Sequence, residues 1–310
     1  MRAVQYSRHG GPEVLHVTDV PEPHAGAGQV RIRVRAAAVN PYDHKVRSGM
    51  FAGGAEPARP TIPGAEAAGV VDEVGDGVAG TRVGDHVFGL ATGGASAEFA
   101  LLTHWAPKPG TVSFEEAAGL TVVSETAERC LRLLGVVAGE TLLVNGAAGG
   151  VGQAALQLAR LRGARVIGTA SAHNHDLIRS LGATPTTYEG GLPARVAALA
   201  PQGVDAVLDA AGTSLDELLQ IEPTRVVTIA NYAAGDRGVR VTTGGGDEAA
   251  FDVLPWISDL ACRGEFRLRV TAAFPAQEAA EAHRLSESRS AGGKIVLVFD
   301  QPGSASPARG

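Results

Sequence analysis

The sequence predicts an α/β protein in two parts: an antiparallel β domain and a doubly wound parallel-sheet domain. Three observations predict it. Short β-rich runs separated by Gly/Pro turns fill the first third of the chain. From Thr141 onward, apolar strands alternate with amphipathic helices, the pattern of a parallel sheet covered on both faces. A glycine-rich turn, AAGGVG at 147–152, joins the first of those strands to the first of those helices.

In order, the runs AVQY, LHVTDV, QVRIRVRAAAV, GVVDEVG, DHVFGL and SAEFALL read as strands, with GGPE, PEPHAGAG and GDGVAG as turns between them. Ser113 and Glu116 form a capping-box pair, each able to satisfy the other's free helix-end amide, and helical spacing follows through Leu131 and Leu134. Then come the strand TLLVN, the helix VGQAALQLARL, the strand ARVIGT, the helix HDLIRSLG and the short strand TTY. The helix LPARVAALA, the strand VDAVLDAA, the helix LDELLQ and the strand RVVTIA continue the rhythm. It blurs through TTGGGDEA, and the helix EAAEAHRLSES and the strand KIVLVF close the fold. The segment 301–310 reads as a loose tail.

The 310 residues suit two domains, and 45% apolar with 19% charged residues can bury a full core. A net charge of −6 without a basic block argues against nucleic acid or an anionic membrane as partner. Two distant cysteines, Cys130 and Cys262, make neither a disulfide framework nor a Cys-rich zinc site. The first residues carry no apolar leader and no apolar run is long enough to span a bilayer, so a cytoplasmic protein is expected.

The turn at 147–152 nearly fits G-x-G-x-x-G. Gly149 and Gly152 fill the second and third positions, while Ala147 stands at the first. The strand before it and the helix after it, whose first amides and dipole would face a pyrophosphate, support a dinucleotide site over a plain packing turn. An Asp or Glu at the end of the second strand would hold the ribose of NAD. Here that strand ends Thr169-Ala170-Ser171-Ala172-His173-Asn174, with no acid before Asp176. Ser171 and Asn174 could donate hydrogen bonds to a 2′-phosphate, and a protonated His173 more strongly, which points to NADPH. Asn174 also suits the N-cap of the next helix, and both roles are compatible.

Taken with AAAVNPYDHKVRSG, IPGAEAAGVVDEVGDGV, VGDHVFG, NGAAGGVGQAALQLAR, GTAS…LIRSLGA, VDAVLDAAG and FPAQEAAEAHRLSES…GGKIVLV in that order, the chain resembles the zinc-independent medium-chain dehydrogenase/reductases. Within them it resembles the quinone oxidoreductase (zeta-crystallin-like) branch. The resemblance implies a GroES-like β domain at 1–112 and about 268–310, a Rossmann NADPH-binding domain at 113–267, and an active site in the cleft between them. It implies that Ala148, Gly149, Gly150 and Val151 line the pyrophosphate and that Thr126 lies near the nicotinamide. Ser171, His173 and Tyr188 would surround the adenosine phosphate, with Asn231 and Lys294 closing the cofactor pocket. A homodimer is implied too. Many relatives carry Lys or Arg near position 173, and apolar or aromatic residues around Thr126; this chain departs from both patterns.

Where the zinc-dependent relatives place a Cys and a His, this chain has Asn40 and Ala65, too few ligands for a catalytic zinc, so no metal is expected. Without a Lewis acid, hydride transfer to a conjugated carbonyl suits the site better than alcohol oxidation, with hydrogen bonds stabilising the enolate oxygen. Candidates cluster in one segment: Asn40 to donate to a carbonyl or the nicotinamide ribose, and Tyr42, His44 or Lys45 to stabilise the enolate or relay a proton. Each also has a plain structural reading, Asn40-Pro41 as a turn starter among them. Glu125 and Glu128 read as a solvent-facing helix side, with Glu125 and Arg129 spaced for an i,i+4 pair, or, if one points inward, as a general acid or base. The function expected is NADPH-dependent reduction of a quinone or α,β-unsaturated carbonyl. The alternatives are an enoyl or polyketide-intermediate reductase, or a non-redox NADP-binding structural, regulatory or cyclase-type protein.

Overall fold

The computed structural model describes residues 1–299; the tail expected at 301–310 lies outside them. Two compact units form, Met1–Thr121 with the chain from Arg269 on, and Val122–Leu268.

The first unit opens with β1 (Arg2–Gln5) and β2 (His16–Asp19), an antiparallel pair. Then come β3 (Val30–Val39), α1 (Pro41–Arg47), β4 (Glu66–Val74), β5 (His86–Thr92), β6 (Phe99–Pro107) and α2 (Phe114–Ala118). Strand β3 shows why the sheet forms. Its alternation Val30-Arg31-Ile32-Arg33-Val34 buries the valines and isoleucine on one face, worth about 1.5–3 kcal/mol per side chain. The arginines leave on the other face, where Arg31 and Arg33 lie over the Phe99 ring, 5.0 and 5.2 Å from its centroid. Helix α2 begins with the expected capping box: Ser113 Oγ accepts from the Glu116 amide at 3.1 Å, and a Glu116 carboxylate oxygen accepts from the Ser113 amide at 2.9 Å.

The next stretch runs α3 (Leu120–Leu134), β7 (Thr141–Asn145), α4 (Gly150–Leu161), β8 (Arg165–Thr169), α5 (His175–Ser180), β9 (Thr184–Thr186) and α6 (Leu192–Leu199). It continues with β10 (Ala206–Asp209), α7 (Leu215–Ile221), β11 (Val226–Thr228), β12 (Arg240–Val241) and α8 (Leu254–Cys262). The sheet order is β12-β11-β10-β7-β8-β9, all parallel, the doubly wound Rossmann order with its switch point between β7 and β10. Strand β9 starts two residues earlier than the expected TTY run, pairing Pro185 with Gly168 and leaving Tyr188 beyond the ladder.

The chain then returns to the first unit through β13 (Val270–Pro275), α9 (Ala279–Glu287) and β14 (Lys294–Val298). Strand β14 pairs antiparallel with β3, giving a mainly antiparallel six-stranded sheet, β13-β14-β3-β4-β5-β6, whose β3 and β6 also pair. One end of it gathers the end of β3 and the starts of β4 and β14.

Candidate functional site

In the second unit the glycine turn sits on a buried polar network. Asn145 Nδ2 donates to Asp209 at 2.9 Å, and Thr169 Oγ1 donates to Asn145 Oδ1 at 2.7 Å. Thr228 Oγ1 donates to Asp209 at 2.8 Å, and the Gly146 amide donates to Thr169 Oγ1 at 3.0 Å. These residues end β7, β8, β10 and β11, so side chains at four strand ends fix the backbone from which the turn departs. Asn145, Asp209 and Thr228 escaped the sequence reading, although each is a polar residue closing an apolar strand.

The left-handed residue of the turn is Gly146, at φ +86, one position before Ala147. The fully buried Ala147 therefore need not make the tight turn itself. Gly152 is required for space: a Cβ there would lie 2.3 Å from the Gly146 carbonyl oxygen and 2.6 Å from Ala147 Cα. Helix α4 starts at Gly150 with Gly149 as N-cap. Helix geometry leaves the first amides after the cap without intrahelical acceptors, so Gly150 and Val151 present N–H groups with no side chain bulk in front at Gly149 or Gly150. Ala148 is buried beside them, and its carbonyl accepts from Gln153 Nε2 at 2.7 Å.

At the end of β8, Ser171, His173 and Asn174 converge. Asn174 Nδ2 lies 3.1 Å from His173 Nε2 and donates to Ser171 Oγ at 3.2 Å; Ser171 Oγ is 3.3 Å from the same imidazole nitrogen. The nearest acid in sequence, Asp176, is fully exposed and paired with Arg179 at 2.7 Å. Thr169 and Ala170 are buried beneath this cluster, Tyr188 is half-exposed, and the Asn231 amide is held by Thr228 Oγ1 at 3.1 Å. A dinucleotide fits this donor set: a bare glycine turn for a diphosphate, and three polar side chains without a carboxylate at the ribose end.

Helix α3 carries Thr126, buried, with its hydroxyl donating to Glu125 at 3.2 Å. Here the structure corrects the expected solvent-facing side. Glu125, Glu128 and Arg129 are all buried. The i,i+4 pair forms, with Arg129 Nε 2.8 Å from Glu125, but the Arg129 guanidinium continues to Thr242 and a Glu125 oxygen accepts from the Ala250 amide. Glu128 pairs with Arg132 at 2.7 Å and Arg162 at 2.6 Å. The segment 240–253, which contains the irregular TTGGGDEA stretch, bonds to this helix through Thr242, the Ala250 amide and Asp252.

In the first unit, Asn40 is not a turn starter but the N-cap of α1, with Pro41 at the first helical position and Asp43 at the third. Its amide N–H donates to Asp43 Oδ2 at 2.7 Å. Asn40 Nδ2 donates to Glu66 Oε1 at 3.0 Å, while Lys294 Nζ donates to Asn40 Oδ1 at 2.7 Å and to Glu66 Oε1 at 2.8 Å. Lys294, expected beside the cofactor, is buried here with Asn40 and Glu66, which are 4%, 5% and 0% exposed respectively. Burial pushes the Asp43 carboxyl up to about 7, against the pull of the Asn40 amide and the Lys294 ammonium. Glu66 and Asp43 carried no motif of their own; the signal for both was an acid in an otherwise apolar strand start and the third-position acid after Asn-Pro.

Of the other candidates on α1, Tyr42 is 53% exposed and stacks on the half-exposed Phe51, ring centroids 5.8 Å apart. His44 is half-buried, and burial lowers its affinity for a proton. Lys45 is partly buried, its carbonyl accepting from Ser48 Oγ at 2.9 Å. Among the described residues no group of three or more His, Cys, Asp or Glu is arranged to hold a metal ion.

The family model for the alcohol dehydrogenase GroES-like domain matches residues 26–113, and that for zinc-binding dehydrogenases matches 150–246. The chain is 43% identical over 175 residues to a quinone oxidoreductase of Rattus norvegicus, covering 55% of this chain and 53% of that protein. The chain thus spans about half the length of the curated quinone oxidoreductases it matches. It is 34% identical over 320 residues to an NADPH-dependent alkenal/one oxidoreductase of the Arabidopsis thaliana chloroplast, covering 96% of this chain and 79% of that one. A mycobacterial protein solved in complex with NADPH superposes with a TM-score of 0.82 at 29% identity, over 96% of this chain and 100% of that one. A GroES-like sheet and a Rossmann sheet, carried by a chain this similar over nearly its full length, place it in the medium-chain dehydrogenase/reductase family, in its quinone oxidoreductase branch.

Proposed function

We propose that this chain is an NADPH-dependent oxidoreductase that reduces quinones or α,β-unsaturated carbonyls. The observation that carries the reading is the acid-free end of β8, where Ser171, His173 and Asn174 meet and Asp176 turns away to Arg179. A carboxylate there would repel a 2′-phosphate; hydroxyl, amide and imidazole donors attract it. The names of the Arabidopsis relative and of the NADPH-bound mycobacterial structure support the same cofactor.

NADPH, when bound, supplies a hydride. The rest falls to the chain. The turn amides at Gly150 and Val151 bind the diphosphate, and the network under Gly146 keeps them aimed. Asn40 donates an N–H to the substrate oxygen on which negative charge develops. Tyr42 and Phe51 offer a flat, exposed aromatic surface for a planar substrate. The reading includes a small-molecule substrate and a homodimer, and the net charge of −6 disfavours polyanionic partners.

The test is a titration with NADPH and NADH, followed by cofactor oxidation with quinone and enone panels. Binding of NADPH about tenfold tighter than NADH, a difference of about 1.4 kcal/mol, and turnover with at least one conjugated carbonyl are expected. Tight NADPH binding with no oxidation by any acceptor would sink the reductase reading and leave a binding protein.

A further inference from the structure

We propose that Lys294 and Glu66 are positioning residues that lock the Asn40 side-chain amide in one orientation, with an N–H left to present. The inference rests on the reading of Asn40 as the donor to the substrate oxygen.

The lock follows from what each group can do. An ammonium only donates, and an ionised carboxylate only accepts. Asn40 stands between the two, with Oδ1 on Lys294 Nζ at 2.7 Å and Nδ2 on Glu66 Oε1 at 3.0 Å. Turning the amide over would set oxygen against carboxylate and N–H against ammonium, losing both bonds among side chains that are almost entirely buried. Lys294 and Glu66 are themselves joined at 2.8 Å, so neither can swing away alone. The backbone adds a third tether, the Asn40 amide on Asp43 Oδ2. Lys294 engages the Asn40 oxygen and Glu66 engages one of its two N–H groups, which leaves the second N–H for a ligand.

The topology builds this lock deliberately. Strands β14, β3 and β4 are neighbours, and both partners of β3 run antiparallel to it, so its end meets their starts. Asn40 follows the last residue of β3, Glu66 begins β4 and Lys294 begins β14. Gly119 completes the arrangement from the end of α2. Its φ of −88 needs no glycine, yet a Cβ there would lie 2.8 Å from Lys294 Cε and 3.0 Å from Cγ. The glycine makes room for the lysine stem.

The experiment is a kinetic cycle with N40A, K294M and N40A/K294M, with K294R as the conservative variant and NADPH affinity measured on each. Losing an oxyanion donor costs about 10²–10³ in kcat, so N40A is expected in that range, and K294M about tenfold with substrate KM within about twofold. The double variant should be no slower than N40A, and K294R should recover most of the loss. Should K294M fail to fold, Gly119→Ala crowds the lysine without deleting its charge, and the same masking by N40A is expected. Multiplicative losses in the double variant, or an unchanged kcat in K294M, would overturn the lock while leaving Asn40 as donor. A fall in NADPH affinity in K294M at constant kcat would also overturn it, giving the lysine to the cofactor instead. Full activity in N40A would remove the reading on which the lock stands, and the lock with it.

Discussion

Ala147 and Gly168 share one space: a methyl group on Gly168 would lie 2.6 Å from the Ala147 Cβ. Only one of the two positions can carry a side chain, which is how the turn keeps an alanine where the fingerprint has glycine. Gly168→Ala is therefore expected to cost about 1–3 kcal/mol by overpacking and to weaken NADPH binding. Ala147→Gly in the same chain should restore most of both. Urea unfolding and cofactor titration of the single and double variants check this; equal loss in the double variant would contradict it.

The Ser171–His173–Asn174 cluster sets the second expectation. Ser171→Asp should bring a carboxylate to the 2′-phosphate position and shift the NADPH/NADH affinity ratio toward NADH by about 10–100-fold, from one to two units of the tenfold-per-1.4 kcal/mol scale. The ratio is read by fluorescence titration of both cofactors, and an unmoved ratio would place the 2′-phosphate elsewhere.

Much of this was legible in the sequence because local patterns carried it. The period-two strands of the first sheet, the strand–turn–helix around Gly149 and the acid-free stretch after Thr169 each depend on neighbours in the chain. What the local patterns did not carry is mostly long-range contact. Lys294 lies 254 positions from Asn40, and only the return of β14 to β3 brings them together. Glu125 and Arg129 look like a solvated helix face until Thr242 and the Ala250 amide bond to them, and Glu128 does so until Arg162 pairs with it. Helix α1 was missed as a helix although Asn40, Pro41 and Asp43 spell its start, because its seven residues are too few to show a period.

The covered face of α3 gives a third expectation. Arg129→Met leaves Glu125 buried beside a few neutral donors, and breaking such a pair costs about 3–5 kcal/mol. Combining it with Glu125→Gln should recover part of that loss. Chemical denaturation of the three variants measures the coupling, and strict additivity would show that the pair is not energetically linked.

Asp43 gives a stability profile with a defined sign. Its pKa of about 7 in the folded chain lies above the ordinary carboxylate value, so the native state holds the proton more tightly than the unfolded chain. Its stabilising contribution is complete below the unfolded value near 4 and is lost as pH rises through about 7. Asp43→Asn keeps an oxygen for the Asn40 amide and cannot ionise. Relative to the parent it should gain about 2–3 kcal/mol on going from about pH 5 to about pH 8. His283 of the same unit acts in the opposite direction, since burial pushes its pKa down to about 3; the difference between variant and parent cancels that contribution. Denaturation curves at both pH values decide it, and a difference that does not change with pH would contradict the assignment.

The most direct test of hydride transfer from NADPH to a conjugated carbonyl is turnover with NADPH carrying two deuterium atoms at nicotinamide C4, using an enone acceptor and mass analysis of the product. One deuterium is expected at the β-carbon of the reduced product, with the rate falling in Asn40→Ala. Product without deuterium, or cofactor that binds and is never consumed, would contradict it.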